Sequence, residues 1–238
     1  NGFVVGVSGG VDSALTSTLC ALSGIKTLCL NMPIKQKEEQ YQRAERHIQW
    51  LKKKFDNVES VDINLTKVFN QFKLSVENNS SMNKLALANT RSRIRMMTLY
   101  YYATINNSIV VGTGNKVEDF GVGFYTKYGD GGVDISPIAD LMKSEVFEIS
   151  KKLNINNEIL DAKPTDGLWD DDRSDEEQIG ATYDDLEKVM NSLERGMKPD
   201  EFESDMKEKY TIYMEHHIAN KHKMNSIPVC KIPNKLKS

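Results

Sequence analysis

Long apolar runs are missing from this 238-residue chain. None approaches the ~20 consecutive apolar residues of a membrane-spanning helix, so a transmembrane protein is excluded. An excess of one charge is missing as well. Lys plus Arg total 31 and Asp plus Glu total 34, a formal net charge of −3, which argues against a nucleic-acid binder that works through basic charge. Cysteine is scarce: the three residues Cys20, Cys29 and Cys230 are too few for a disulfide framework and match no zinc spacing. They are expected to be reduced, structural thiols of a cytoplasmic protein. Internal repeats are absent too, and no second strand–helix series marks another domain, so residues 1–238 are expected to form one domain. Asn1-Gly2 lead directly into an apolar strand without an initiating Met, and the expectation is that further residues precede them. Aliphatic and aromatic residues are spread along the chain, which excludes disorder.

Apolar, β-prone runs alternate with amphipathic patterns. Phe3-Val4-Val5-Gly6-Val7 reads as a strand buried on both faces, followed by a helix from about Asp12 with Leu15, Leu19 and Leu22 on one side. Thr27 to Met32 reads as a second strand. Tyr41, Ala44, Ile48, Leu51 and Phe55 then recur at the three- and four-residue spacing of a helix. Ser60 to Ile63 reads as a short strand, Leu85 to Ile105 as a long helix, and Ile109-Val110-Val111-Gly112 as a fourth buried strand. Such alternation predicts an α/β fold, a doubly wound parallel sheet of about five strands with helices on both faces. Ligands on such sheets bind at the carboxyl ends of the strands, near the switch in strand order. Residues 121–134 and 161–174 read as long functional loops, and the tail from Asp200 as charged and partly helical.

The sharpest signal is Gly6-Val7-Ser8-Gly9-Gly10-Val11-Asp12-Ser13, between the first strand and its helix. Paired glycines let a ligand approach the backbone, and the helix start aims free N–H groups at an anion. No Lys stands where a Walker A loop needs one, and G-x-G-x-x-G is not matched either. Asp12 inside a phosphate cradle would repel its ligand unless a cation came between them, so Asp12 is most simply a Mg²⁺ ligand. The plain alternative is an ordinary turn with an N-cap residue.

Ser8-Gly9-Gly10-Val11-Asp12-Ser13 resembles the pyrophosphate loop of the ATP pyrophosphatases. That superfamily includes GMP synthetases, argininosuccinate and asparagine synthetases, tRNA-modifying enzymes and NAD synthetases. Four further stretches resemble NAD synthetase motifs in the family's order: Leu87 to Met96 with its three arginines, Gly112-Thr113-Gly114-Asn115-Lys116-Val117-Glu118, Thr126 to Asp134, and Pro164-Thr165-Asp166-Gly167-Leu168. So do Lys143, Ser174 to Gly180 and the terminal His222-Lys223, and the resemblance runs from Phe3 to about Lys231.

The resemblance implies an ammonia-dependent NAD synthetase. Such an enzyme adenylates the nicotinate carboxylate of deamido-NAD with ATP, releasing pyrophosphate, and then amidates it with ammonia to give NAD and AMP. It further implies that Gly6, Val7, Ser8, Gly9, Gly10, Val11, Asp12 and Ser13, with Thr113, Lys143 and Thr165, bind ATP. Asp12 and Glu118 would hold Mg²⁺, and Asp12, Glu118 and Lys143 would serve catalysis. Arg93, Lys127, Asp134, His222 and Lys223 match the family's deamido-NAD contacts. Arg91, Arg93 and Arg95 lie on one predicted helix, where at most two can face one ligand; Arg93 is assigned by its place in the motif. His47, His216 and His217 read as structural or surface residues. Asp175 to Glu177 read as a helix start rather than as a lid over ATP. Gly114-Asn115-Lys116-Val117-Glu118-Asp119 replaces an Asp-His-Ala-Ala-Glu run found in many members. Cys20 and Cys29 lack the context of a glutaminase cysteine. The expectation is that no glutaminase domain precedes the synthetase and that free ammonia is the nitrogen source; a large domain among residues before Asn1 would bring back glutamine. The family forms homodimers with deamido-NAD near the subunit interface. The competing readings are a GMP synthetase-type ATP pyrophosphatase and a non-catalytic ATP-binding module.

Overall fold

A computed structural model describes residues 1–76, 84–165 and 174–237. Its first strands and helices are β1 (Phe3–Gly6), α1 (Val11–Leu22), β2 (Thr27–Asn31), α2 (Glu38–Lys54), β3 (Val58–Asp62), α3 (Thr66–Val76), α4 (Lys84–Ile105) and β4 (Ile109–Val111). A π-helical turn follows at Lys116–Val122. Then come α5 (Lys143–Lys152), α6 (Asn157–Leu160), α7 (Asp175–Ile179), α8 (Tyr183–Glu194) and α9 (Ser204–Met224).

The sheet is parallel in the order β3-β2-β1-β4. Four strands stand where about five were expected among the described residues. The next apolar segment makes only a single parallel bridge, Val111 to Ile135. Ladder growth stops there because Asp134 turns its carboxylate onto the Val110 N–H at 2.8 Å. The third strand also begins two residues earlier than its pattern suggested, since Val58 pairs with Thr27. Helix α3 was not foreseen; among its residues only Phe69 is buried, so its apolar stripe is too narrow to stand out.

The two-residue period of a strand divides the core. Val4, Leu28, Leu30 and Val110 pack with Phe69, Ile94 and Ala103 of α3 and α4. Val5, Cys29 and Val111 pack on the other face with Cys20, Ala21, Ala44, Ile48 and Leu51 of α1 and α2. Val11, Ala14 and Leu15 continue α1 into contact with Val146 of α5 and Ile159 of α6. A further cluster joins the π turn, α8 and α9 through Val117, Val122, Tyr183, Leu186, Met190 and Tyr213. His47 is buried against Ser17 at 3.0 Å and stacks on Trp50, and burial lowers its pKa to about 4. No helix of the described residues is long and apolar enough to cross a membrane.

Strand order reverses at β1: the chain runs from β1 out to β3 and then returns to place β4 on the opposite side of β1. The loops after β1 and β4 therefore flank one crevice at the carboxyl ends of neighbouring strands.

Candidate active site

The crevice holds a cavity of about 280 Å³. Gly6, Val7, Ser8, Gly10, Val11, Asp12 and Ser13 line one wall, and Thr113, Glu118, Lys143 and Thr165 line the others. The loop after β1 is set by a ring of small hydroxyls. The Ser13 hydroxyl donates to the Gly10 carbonyl at 3.0 Å and accepts from the Ser8 N–H at 3.1 Å. Its single proton being used, the Ser8 hydroxyl must donate to Ser13 Oγ at 3.0 Å, while the Gly10 N–H donates to Ser8 Oγ at 3.3 Å. No side chain caps α1, so the N–H groups of its first turn face the cavity wall as anion donors. Gly9 does something else. Its φ is +84°, and a Cβ there would lie 2.8 Å from the Gln40 carbonyl oxygen. Gly9 thus admits α2 rather than the ligand, and it does not line the cavity.

At the cavity floor the Lys143 ammonium donates to Asp12 Oδ2 at 2.6 Å and to Glu118 Oε1 at 2.8 Å. Asn115, the cap of the π turn, donates to Asp12 Oδ1 at 3.0 Å and accepts from the Glu118 N–H at 3.0 Å. The Tyr183 hydroxyl donates to Glu118 Oε1 at 2.6 Å. Burial raises the pKa of Asp12 against the pull of Lys143. For Glu118 burial acts in the same sense, but Lys143, Tyr183 and Asn115 outweigh it and hold the group below its ordinary value. Burial opposes the charge on Lys143 too, yet the two carboxylates win and its pKa is raised. Lys143 is 3% exposed; an ammonium this deep persists because two carboxylates converge on it.

That convergence is also a test of a divalent cation. The carboxylates already share one cationic group, and Mg²⁺ bound with phosphates needs only one or two protein carboxylates beside them. Among the described residues no group of three or more His, Cys, Asp or Glu could hold a metal. The donor set fits a nucleotide-bound Mg²⁺ rather than a metal held by protein alone.

Several cavity residues carried no assignment from the motifs. Arg95 lines it, donating to the Met32 carbonyl at 3.0 Å and to Gln36 Oε1 at 2.8 Å. Arg43 lines it from α2, and Asp119 and Asp130 from the opposite side. Gly114 must be glycine because a Cβ would lie 1.9 Å from Asp119 Oδ2. Asp119 has its pKa raised by burial and by its acidic neighbours. The signal for Arg95 was present in the sequence as one of three arginines on α4, but only the packed helix distinguishes them. Arg91 is buried, Arg93 is exposed and Arg95 turns inward.

Arg93, Lys127, His222 and Lys223 meet outside this cavity, where α4, the 123–134 loop and the end of α9 come together. Arg93 donates to the Lys127 carbonyl at 3.3 Å and the Lys127 ammonium to the His222 carbonyl at 2.5 Å. Lys223 donates to the carbonyls of Gly123 and Tyr125, each at 2.8 Å. Asp134 stands apart, its two oxygens taken by the Val110 N–H and the Tyr100 hydroxyl. Thr165 lies at the rim of the main cavity; Asp166, Gly167 and Leu168 of its motif, and most of the 161–174 loop, lie outside the described residues. Asp175 to Glu177 open α7 beneath a Ser174 cap, and Asp175 also lines the cavity. The 121–134 stretch starts inside the π turn instead of being irregular throughout. His216 and His217 bond the carbonyls of Ile179 and Gly121 and serve packing of α9.

The family model of NAD synthase matches residues 1–227. An NH₃-dependent NAD⁺ synthetase of Methanosarcina acetivorans is 36% identical over 96% of this chain and 90% of its own length. Among solved structures, an NMN synthetase from Francisella tularensis superposes with a TM-score of 0.83 at 32% identity, covering 97% of this chain and 90% of that one. An NH₃-dependent NAD synthetase from Campylobacter jejuni, 28% identical, gives a TM-score of 0.73 over the same shares.

Proposed function

The chain belongs to the NAD synthase family, and we propose on that footing that it is an ammonia-dependent NAD synthetase acting on deamido-NAD. The observation that carries the chemistry is the seat of Lys143 between Asp12 and Glu118, beside the uncapped N-terminus of α1.

In this reading the loop Gly6–Ser13, with Thr113, Lys143 and Thr165, holds the phosphates of ATP, and Asp12 and Glu118 hold Mg²⁺. Bound there, Mg²⁺ would neutralise the charge that leaves with pyrophosphate. An oxygen of the nicotinate carboxylate attacks the α-phosphorus as the bond to pyrophosphate breaks. Ammonia then adds to the acyl carbonyl, AMP departs, and the nitrogen gives up one proton. The protein contributes position and fixed donors, chiefly the first-turn N–H groups of α1, together with the nearby Lys143 ammonium. Arg93, Lys127, Asp134, His222 and Lys223 are assigned to deamido-NAD. Lys127 spends one of its three N–H donors on His222 and Lys223 two of its three on the 123–125 turn, so both keep donors for a dinucleotide.

We place residues 1–238 in one functional domain that works as a homodimer in the cytoplasm. Exposed apolar side chains of α3 and α4, including Leu74 (66% exposed) and Tyr101 (61%), support an interface there. The free, buried Cys20 and Cys29 suit a reducing compartment.

Deamido-NAD-dependent exchange of pyrophosphate into ATP, followed by amidation with ammonium or glutamine, tests the reading. No exchange refutes it, with a GMP synthetase-type enzyme or a passive ATP binder left standing. Equal use of glutamine refutes ammonia dependence. Light scattering of the eluted protein checks the dimer. The likeness to the Francisella NMN synthetase favours a second reading, in which the acceptor is nicotinate mononucleotide. The ratio of kcat/KM for the mononucleotide and for deamido-NAD decides between the two.

A further inference from the structure

Tyr183 carried no role in the sequence motifs, yet it touches both halves of the cation cluster. It opens α8, is 7% exposed, and packs in the cluster with Val117 and Leu186. Its backbone N–H donates to Glu176 Oε1 at 2.8 Å, so it is anchored at both ends. Its hydroxyl has one proton, given to Glu118 Oε1 at 2.6 Å; Asp175 Oδ2, at 3.5 Å, is too far to compete. Its ring lies under the Lys143 ammonium, 4.9 Å from the centroid.

Glu118 Oε1 thus has two donors, and they differ in what else they must do. Lys143 is assigned to phosphate as well, and an ammonium that turns to phosphate releases its hold on the carboxylate. The phenol has no such second task and sits on a packed helix start. We propose that Tyr183 is a positioning residue that keeps Glu118 oriented for a divalent cation when Lys143 turns to the nucleotide. The inference rests on the assignment of Asp12 and Glu118 to Mg²⁺. Groups that orient metal ligands typically cost roughly 10–100-fold in metal affinity when removed.

The test titrates Mn²⁺ into the full chain with an α,β-methylene analogue of ATP, reading free Mn²⁺ by electron paramagnetic resonance. Tyr183→Phe keeps the ring and loses the hydroxyl. It should weaken Mn²⁺ about tenfold and lower kcat while the KM for deamido-NAD stays unchanged. A Kd equal to that of the parent, or a lower Tm with an unchanged Kd, overturns the inference alone. Absence of Mn²⁺ binding in the parent overturns the metal assignment and the inference with it. Should the Phe variant not fold, Glu176→Ala loosens the same tyrosine from its backbone side, and an unchanged Mn²⁺ Kd there overturns the inference too.

Discussion

Replacing Lys143 by methionine keeps most of the side-chain volume and removes the charge on which the cavity floor is built. The ammonium is 3% exposed and lies 2.6 Å from Asp12 and 2.8 Å from Glu118. Without it two carboxylates face each other with no counter-charge. Breaking a buried ion pair from one side costs about 3–5 kcal/mol, on the order of 10 °C in Tm for a chain of this size. The pH dependence gives the cause. In the parent, Lys143 has a raised pKa, so its contribution is complete below its ordinary 10.5 and is lost as pH rises through the folded value. Glu118 is lowered, so its contribution is present above its ordinary 4.5 and is lost as pH falls through the folded value. Both contributions are therefore steady across neutral pH. In the variant Glu118 rises instead and Asp12, already raised by burial, rises further, so the folded state takes up a proton that the unfolded state does not. Urea unfolding should then show a deficit that is largest near pH 8.5 and shrinks toward pH 5.5. A deficit under about 1 kcal/mol at pH 8.5, or one that does not change with pH, would refute the reasoning.

Gly9→Ala should cost about 1–3 kcal/mol in urea unfolding, because its φ is +84° and the new Cβ would meet the backbone of Gln40 and Ala44. Gly24→Ala, also at positive φ but with nothing within 4 Å, should cost only about 1 kcal/mol; equal losses would contradict the packing argument. His47, buried and lowered from 6.5 to about 4, is uncharged when folded, so stability is steady above pH 6.5 and falls toward pH 4. The loss attributable to it is roughly 3 kcal/mol; His47→Gln should lack that slope, and identical slopes would be contrary evidence. Arg95→Ala should raise the KM for ATP, since Arg95 lines the main cavity, whereas Arg93→Ala should act on the KM for deamido-NAD. A reversal of those two effects would reassign both residues.

The local architecture was readable wherever one period dominates a segment. Val4 and Val5 face opposite layers because a strand alternates, and Ala44, Ile48 and Leu51 line one side of α2 because a helix repeats every 3.6 residues. The turn after β1 was legible for a similar reason, since glycines between a strand and a helix mark it in sequence order, but Gly9 of the pair seats α2 and does not line the cavity. Helix α3 escaped because its buried stripe reduces to Phe69. Among the described residues the segment at Ile135 makes a single bridge rather than a fifth strand, and Asp134, a residue that reads as polar loop, occupies the Val110 N–H beside it.

By itself the sequence determined the strand–helix alternation and the glycine-marked turn between β1 and α1, both of which depend on neighbours a few residues apart. Tertiary structure alone decided which arginine of α4 reaches the cavity, that Gly9 serves α2, and that Tyr183 holds Glu118. Those contacts join residues 31 to 65 positions apart. Side-chain direction at such separations is set by how the helices seat on the sheet, and no local periodicity encodes it.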